Sequence, residues 1–184
     1  MTIIGITGTI GAGKGTLVEY LIREKNFAHY SVRGFLIEEI TKRNLPVNRD
    51  TMVSIANELR EKNSPSYIID CLFEQAKLAG KNAIIESIRS VGEVESLRKK
   101  ENFCLLAVDA DPKIRYERIV KRNSETDHIS YDEFLQNEQR EMNSTNPNKQ
   151  NLSRCIAMAD YIFCNNLSIN ELYTESEEIL SKII

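Results

Sequence analysis

The sequence predicts an α/β domain in three layers, with helices on both faces of a parallel sheet of about five strands. Three observations point to it. Short β-branched runs alternate with amphipathic helical stretches, a pattern that calls for parallel strands joined by right-handed crossovers. The first strand runs directly into a glycine-rich turn and then a helix. The chain has 184 residues, 41% of them hydrophobic, and no repeat or low-complexity segment, so residues 1–184 read as one domain with one full core.

The elements follow in order. Thr2 to Thr7 (TIIGIT) is a β-branched strand, and the TLVEYLIREK stretch after the glycines places Leu17, Leu21 and Ile22 at helical spacing. A short strand at Ala28–Ser31 precedes a helix from Gly34 to Arg43, which Pro46 ends. Helical patterns over Thr51–Glu61 and Ser66–Leu78 follow, before Ala79-Gly80-Lys81-Asn82 breaks the chain and AIIES starts a buried strand. Ser90 and Glu93 form a capping box for a helix from Val91 to Lys100, and Phe103–Val108 is the next strand. Asp111-Pro112 opens a helix through Lys121, Ser130 and Glu133 cap the one after it, and the turn-rich NSTNPNKQN follows. A further helix leads to a last strand, Tyr161–Cys164, and to a helix capped by Ser168 and Glu171.

Composition removes several classes of function. With 24 Lys+Arg against 27 Asp+Glu the net charge is −3, and the pI is about 5.6, so there is no basic excess for a nucleic acid polymer. The absence of Trp removes the best stacking platform as well. No stretch approaches the roughly 20 apolar residues of a membrane span, and the N-terminus lacks a basic leader; a cytoplasmic protein is expected. Cys71, Cys104, Cys155 and Cys164 are spaced for neither a zinc ribbon nor a disulfide scaffold and read as reduced core thiols. His29 and His128 have no acid at a spacing that suggests a triad or metal site.

The strongest chemical signal is Gly8 to Thr16, GTIGAGKGT, which matches the phosphate-loop pattern through Gly8, Gly13 and Lys14. Gly11, Ala12, Gly13, Gly15 and Thr16 complete the loop. Glycines let successive amides turn around a phosphate, the helix N-terminus adds partial positive charge, and Lys14 adds a full one. Gly15 stands where the magnesium-binding Ser or Thr usually sits, so Thr16, one residue later, is the candidate metal ligand for Mg2+ arriving with ATP.

The Gly13–Thr16 ending resembles the adenylate-kinase form of this loop, and the resemblance extends across most of the chain to the P-loop nucleotide kinase superfamily. HYSVRGFLIEEI resembles the strand and helix of its monophosphate-binding region, with Val32-Arg33-Gly34 where adenylate kinases carry Thr-Gly-Asp. ESIR (Glu86–Arg89) resembles its strand end bearing an acid and a phosphate-binding arginine. RYERIVKR, with Arg115, Arg118 and Arg122 before NSETDH, resembles the entrance to its lid, and ADYIFCNNLSINEL its closing strand and helix, most of all in phage-type deoxynucleoside monophosphate kinases and dephospho-CoA kinases. The resemblance implies a helical acceptor-binding region over about 32–80 and a short lid over about 118–150.

Phosphoryl transfer asks a protein for alignment and charge stabilisation more than for covalent chemistry. Arg118 and Arg122, four apart on one helix face, suit the ATP phosphates, against the alternative of a solvated pair with Glu117 or Glu125. Arg89 and Arg33 suit the acceptor, and Arg49, Arg60 and Arg140 are further candidates for an anionic substrate, although such arginines are more often solvated charges. Glu86 either orients magnesium-bound water, accepts a hydrogen bond from the acceptor's hydroxyl, or takes a buried ion pair with Arg89 or Lys14. Asp111 is occupied as an N-cap, leaving Asp109 as a weaker metal-side carboxylate.

The sequence therefore leads to an ATP-dependent phosphotransferase acting on a small phosphorylated acceptor, foremost a nucleoside or deoxynucleoside monophosphate. Transfer to a ribose hydroxyl in the manner of dephospho-CoA kinase wants a carboxylate after the second strand, and HYSVRG has none. An ATP-binding switch without efficient transfer is the alternative of a different class. A GTPase is disfavoured because Asn151 stands where a guanine-pairing Asp is required. The acceptor's base and sugar and the oligomeric state stay open at this stage.

Overall fold

The computed structural model describes residues 1–124, 128–146 and 148–184. Five parallel strands form one sheet in the order β2-β3-β1-β4-β5: β1 (Ile3–Gly8), β2 (Ala28–Ser31), β3 (Ala83–Glu86), β4 (Phe103–Asp109) and β5 (Tyr161–Cys164). Among the described residues the helices are α1 (Lys14–Lys25), α2 (Val32–Lys42), α3 (Arg49–Lys62), α4 (Tyr67–Ala79), α5 (Val91–Arg98), α6 (Pro112–Arg122), α7 (Tyr131–Met142), α8 (Leu152–Ala157) and α9 (Ile169–Leu180). The expected three-layer α/β fold is therefore present. Strand order reverses on either side of β1, which opens a crevice at the C-terminal ends of β1, β3 and β4.

Every residue of β1 is buried, because helices cover both faces of the sheet. Alternation assigns the side chains: Ile4 and Ile6 pack with Leu17, Leu21, Phe163 and Leu172 under α1 and α9. Ile3, Ile85 and Leu105 point the other way, into a core with Leu36, Ile55, Ile69 and Leu97 from α2 to α5. Each such Ile or Leu contributes about 1.5–3 kcal/mol by leaving water.

Element boundaries follow from local caps. Three Ser-x-x-Glu boxes, Ser90/Glu93, Ser130/Glu133 and Ser168/Glu171, close reciprocally at the starts of α5, α7 and α9. Helix α2 begins two residues earlier than its apolar spacing suggests, because Ser31 Oγ accepts from Gly34 N. Asn48 does the same for α3 by accepting from Thr51 N. Left-handed Asn26, Gly80 and Asn123 end α1, α4 and α6.

The cysteines correct one expectation. Cys104 and Cys155 are buried, and burial pushes both thiols up to about 12. Cys71 is half-buried and Cys164 exposed, so only two of the four are core thiols.

Candidate active site

The loop between β1 and α1 is held from behind. Thr9 Oγ1 donates to Asp109 Oδ1 at 2.5 Å, Asn165 Nδ2 to the Ala12 carbonyl at 2.7 Å, and Arg118 Nη1 to the same carbonyl at 3.4 Å. Arg115, 2% exposed, donates from Nη1 to the Ile10 carbonyl at 3.3 Å and from Nε to Ala110 O at 2.7 Å. With these carbonyls fixed, the amides of Gly11, Gly13, Lys14 and Gly15 donate to no acceptor among the described residues. They stand at the mouth of α1, where the helix dipole also favours an anion.

Glycine is required sterically at positions 8 and 13. Gly8 has φ +136° and a side chain there would strike the Val108 carbonyl; Gly13 has φ +101° and a Cβ would collide with Asn165 Nδ2. Lys14 Nζ donates to the carbonyls of Gly8 at 2.9 Å and Thr9 at 2.7 Å. Burial, then the Arg89 charge, brings its ammonium down to about 7 against the opposing pull of Glu86 and Glu141.

A cavity of about 750 Å3 runs from this loop to the inner faces of α2 and α3. Ile10, Arg118, Arg122 and Ile169 line it together with Arg33, Glu86 and Arg89. The structure thus gathers the site residues expected from sequence, Lys14, Arg118, Arg122, Thr16, Arg33, Glu86 and Arg89, around one space. Arg33 reaches Met52 Sδ at 3.6 Å.

Glu86 pairs with neither Arg89 nor Lys14. Its carboxylate accepts from Ser31 Oγ at 2.6 Å and Ser87 Oγ at 2.9 Å, with His29 Nε2 at 3.7 Å, so His29 is part of the site's surroundings after all. Burial alone would raise this carboxyl; the contact with His29 and the hydrogen bonds from Ser31 and Ser87 outweigh it and hold the group at about 2. Ser87 takes a left-handed φ of 70° to make its contact.

Several residues escaped the sequence reading. Glu141, a buried carboxylate at the end of α7, accepts from both Arg49 and Arg89, and Arg49, one of the further candidates for an anionic substrate, lines the cavity. Arg60 is 2% exposed and paired with Glu93. Arg115 is no lid residue: two parallel hydrogen bonds to the Glu138 carboxylate and the face of Phe134 bury it behind the loop. Asp109, considered as a metal-side carboxylate, is engaged by Thr9 and Ala110 N. Asp111 caps α6 through Lys113 N as expected. Only Asn151, from the polar turn, carried a visible signal, as the N-cap of α8. Glu125 and its neighbours Thr126 and Asp127 in the expected lid loop, with Pro147, lie outside the described residues.

Among the described residues no group of three His, Cys, Asp or Glu side chains could hold a metal ion, and no helix is long and apolar enough to cross a membrane. Hard oxygen donors on the cavity include the Thr16 hydroxyl and the carboxylates of Glu19, Glu86 and Glu141.

Comparison with known proteins agrees with this architecture. Residues 4–144 match the family described as AAA domain. A UPF0200 protein of Methanococcus vannielii is 31% identical over 100% of this chain and 97% of its own length. Among solved structures, a gluconokinase from Sinorhizobium meliloti superposes with TM-score 0.62 at 12% identity, covering 98% of this chain and 92% of that one. Shikimate kinase from Bacteroides thetaiotaomicron gives 0.56 at 14%, covering 98% of each chain. The fold is that of the P-loop kinase-like NTPases.

Proposed function

The chain belongs to the AAA domain family and to the UPF0200 proteins, and from that premise we propose that it is an ATP-dependent kinase. Its acceptor is a small phosphorylated molecule, foremost a nucleoside or deoxynucleoside monophosphate. The observation that carries the proposal is one cavity that holds unpartnered loop amides and Lys14 together with Arg33, Arg49 and Arg89. Two anions could face each other across it, which in-line phosphoryl transfer requires.

In this reading the loop amides and Lys14 take the β- and γ-phosphates, and Arg118 and Arg122 offset charge on the transferring group. Arg89, Arg49 and Arg33 orient the acceptor's phosphate. Ile10 and Ile169 offer apolar contact to the nucleotide base. Helices α2 to α4 form the acceptor-binding region and 118–150 the lid, which excludes water from the transfer. Magnesium fits as a companion of the nucleotide: one hydroxyl, Thr16, and one carboxylate, Glu86, are a small set suited to an ion that keeps its waters and phosphate ligands. Bound there, it would neutralise charge between the phosphates.

Glu86 bears on the class of acceptor. Held at about 2, it is a poor proton acceptor at neutral pH, so it favours a nucleophile that is already ionised, such as a phosphate oxygen, over a ribose hydroxyl. The test is acceptor-dependent ADP release from Mg-ATP across nucleoside monophosphates, deoxynucleoside monophosphates and dephospho-CoA, with Lys14→Ala as control. Release with a monophosphate, lost in the variant, supports the proposal. ATP binding with no release for any acceptor would favour a nucleotide-dependent switch instead.

A further inference from the structure

Two of the cavity's arginines share one carboxylate. Arg49, the first residue of α3, and Arg89, between β3 and α5, each donate one guanidinium N–H to Glu141 near the end of α7, one to each carboxylate oxygen. Among the described residues their side chains donate to no other oxygen. The Glu141 side chain is 9% exposed, those of Arg49 and Arg89 are 24% and 28% exposed, and all three line the cavity. A guanidinium carries five N–H donors, so each arginine keeps spare donors on a surface that a ligand in the cavity can touch.

The backbone behind these side chains is fixed without Glu141's help. The Arg89 amide donates to Glu93 Oε2 at 2.9 Å and its carbonyl accepts from Asn151 N at 2.8 Å, while Glu93 Oε1 takes the buried Arg60 of α3. Those bonds leave the two guanidinium arms loose, and bringing them together costs rotamer entropy and like-charge repulsion. Glu141 offsets both before any ligand arrives. The adjacent pair Arg140–Asp50, at 3.2 Å, joins the same two helices, but its side chains are 58% and 85% exposed and it adds little. The charges of Arg89 and Glu141 both act on Lys14, so this cluster lies within electrostatic reach of the phosphate loop.

We propose that Glu141 is the positioning residue of the acceptor site: by holding Arg49 and Arg89 side by side it makes them one anion clamp, whose spare donors take the acceptor's phosphate. The inference rests on the cavity being the acceptor site and names what organises it. Only a carboxylate serves, because it accepts on both oxygens. A glutamine presents one acceptor and one donor, so one arginine would lose its partner and meet an N–H instead. Glu141 lies on α7 and Arg49 on α3, so the clamp is complete only while these two helices are docked.

The test measures binding and transfer separately. Titration calorimetry of the full chain saturated with ADP, which fills the phosphate loop, follows AMP, CMP and inorganic phosphate; ADP release from Mg-ATP gives KM and kcat for the monophosphates. Glu141→Gln should weaken binding of all three about tenfold or more and raise KM by more than it lowers kcat, with ADP affinity kept within about twofold. Glu141→Asp, which keeps two acceptor oxygens on a shorter arm, should recover part of the loss. The double variant Arg49→Gln, Glu141→Gln should bind no more than about threefold more weakly than Arg49→Gln alone, because the amide oxygen is then free to serve Arg89. Weaker binding in Glu141→Gln with no transfer by either protein supports this inference and removes the kinase reading. Transfer with an unchanged KM overturns the inference and leaves the kinase reading standing. Tighter binding in Glu141→Gln overturns it by making the carboxylate a competitor for the arginines, and an equal loss of ADP affinity overturns it by making Glu141 a general support of the fold. Binding of none of the three ligands by the ADP-loaded wild type overturns it as well.

Discussion

Raising the pH should weaken nucleotide binding through Lys14. Burial and the nearby Arg89 charge bring its ammonium from 10.5 to about 7, whereas nucleotide phosphates against Nζ would favour the charged form and return it toward its ordinary value. Above pH 7 binding must then be accompanied by uptake of a proton. The fraction of protein already protonated falls tenfold per pH unit once well past 7, so affinity should drop about twentyfold between pH 7.5 and 9, or about 2 kcal/mol. The assay is calorimetric titration of ADP at several pH values in buffers of different ionisation heat, which counts protons directly. Lys14→Met should bind weakly and without that pH dependence. An affinity flat from pH 7.5 to 9, with no proton taken up, refutes the electrostatic account of the loop. The same shift sets a stability trend: the unfolded chain holds the Lys14 proton between about 7 and 10.5 while the folded chain does not, so this group favours folding increasingly as pH rises through that window.

Other outcomes follow from single contacts. Glu86, at about 2 in the fold against 4.5 unfolded, contributes roughly 3 kcal/mol that is fully present above pH 4.5 and lost as pH falls through 2; Glu86→Gln should flatten the acid limb of a denaturation-against-pH curve. Glu138→Gln strips the buried Arg115 of its counter-ion and should cost about 3 kcal/mol in urea unfolding, lowering Tm by roughly 6–12 °C. An unchanged Tm would mean that Arg115 is satisfied by the loop carbonyls alone. Gly13→Ala places a methyl against Asn165 Nδ2 in a left-handed backbone and should weaken ADP binding at least tenfold, with partial recovery in the double variant Gly13→Ala, Asn165→Gly.

Much of the fold was legible because its determinants are local. The strand, glycine turn and helix of the phosphate loop are contiguous, and three capping boxes each span four residues. Arg118 and Arg122 were recognisable from helical spacing beside that loop. What sequence could not reveal were pairings between distant segments: Arg49 meets Glu141 across 92 positions, Arg89 meets it across 52, and Arg60 meets Glu93 across 33. Arginine is more often a solvated charge than a buried one, and nothing in the neighbourhood of Arg49, Arg60 or Arg115 in sequence marks them as exceptions. Only the topology, which brings α3, α5 and α7 to one crevice, supplies their carboxylate partners. Glu86 was correctly placed at a strand end, but two of its partners, His29 and Ser31, come from β2, the neighbour of β3 in the sheet.

The central claim is that phosphate moves from ATP to a phosphorylated acceptor across this cavity. Phosphorus NMR of the protein with Mg-ATP and a mixture of nucleoside and deoxynucleoside monophosphates tests it most directly, because a new diphosphate is seen as a pair of coupled signals and identifies its own acceptor. The account predicts growth of such a pair at the expense of one monophosphate, absent with Lys14→Ala. Conversion of ATP to ADP and inorganic phosphate alone, with every monophosphate signal unchanged, would contradict it.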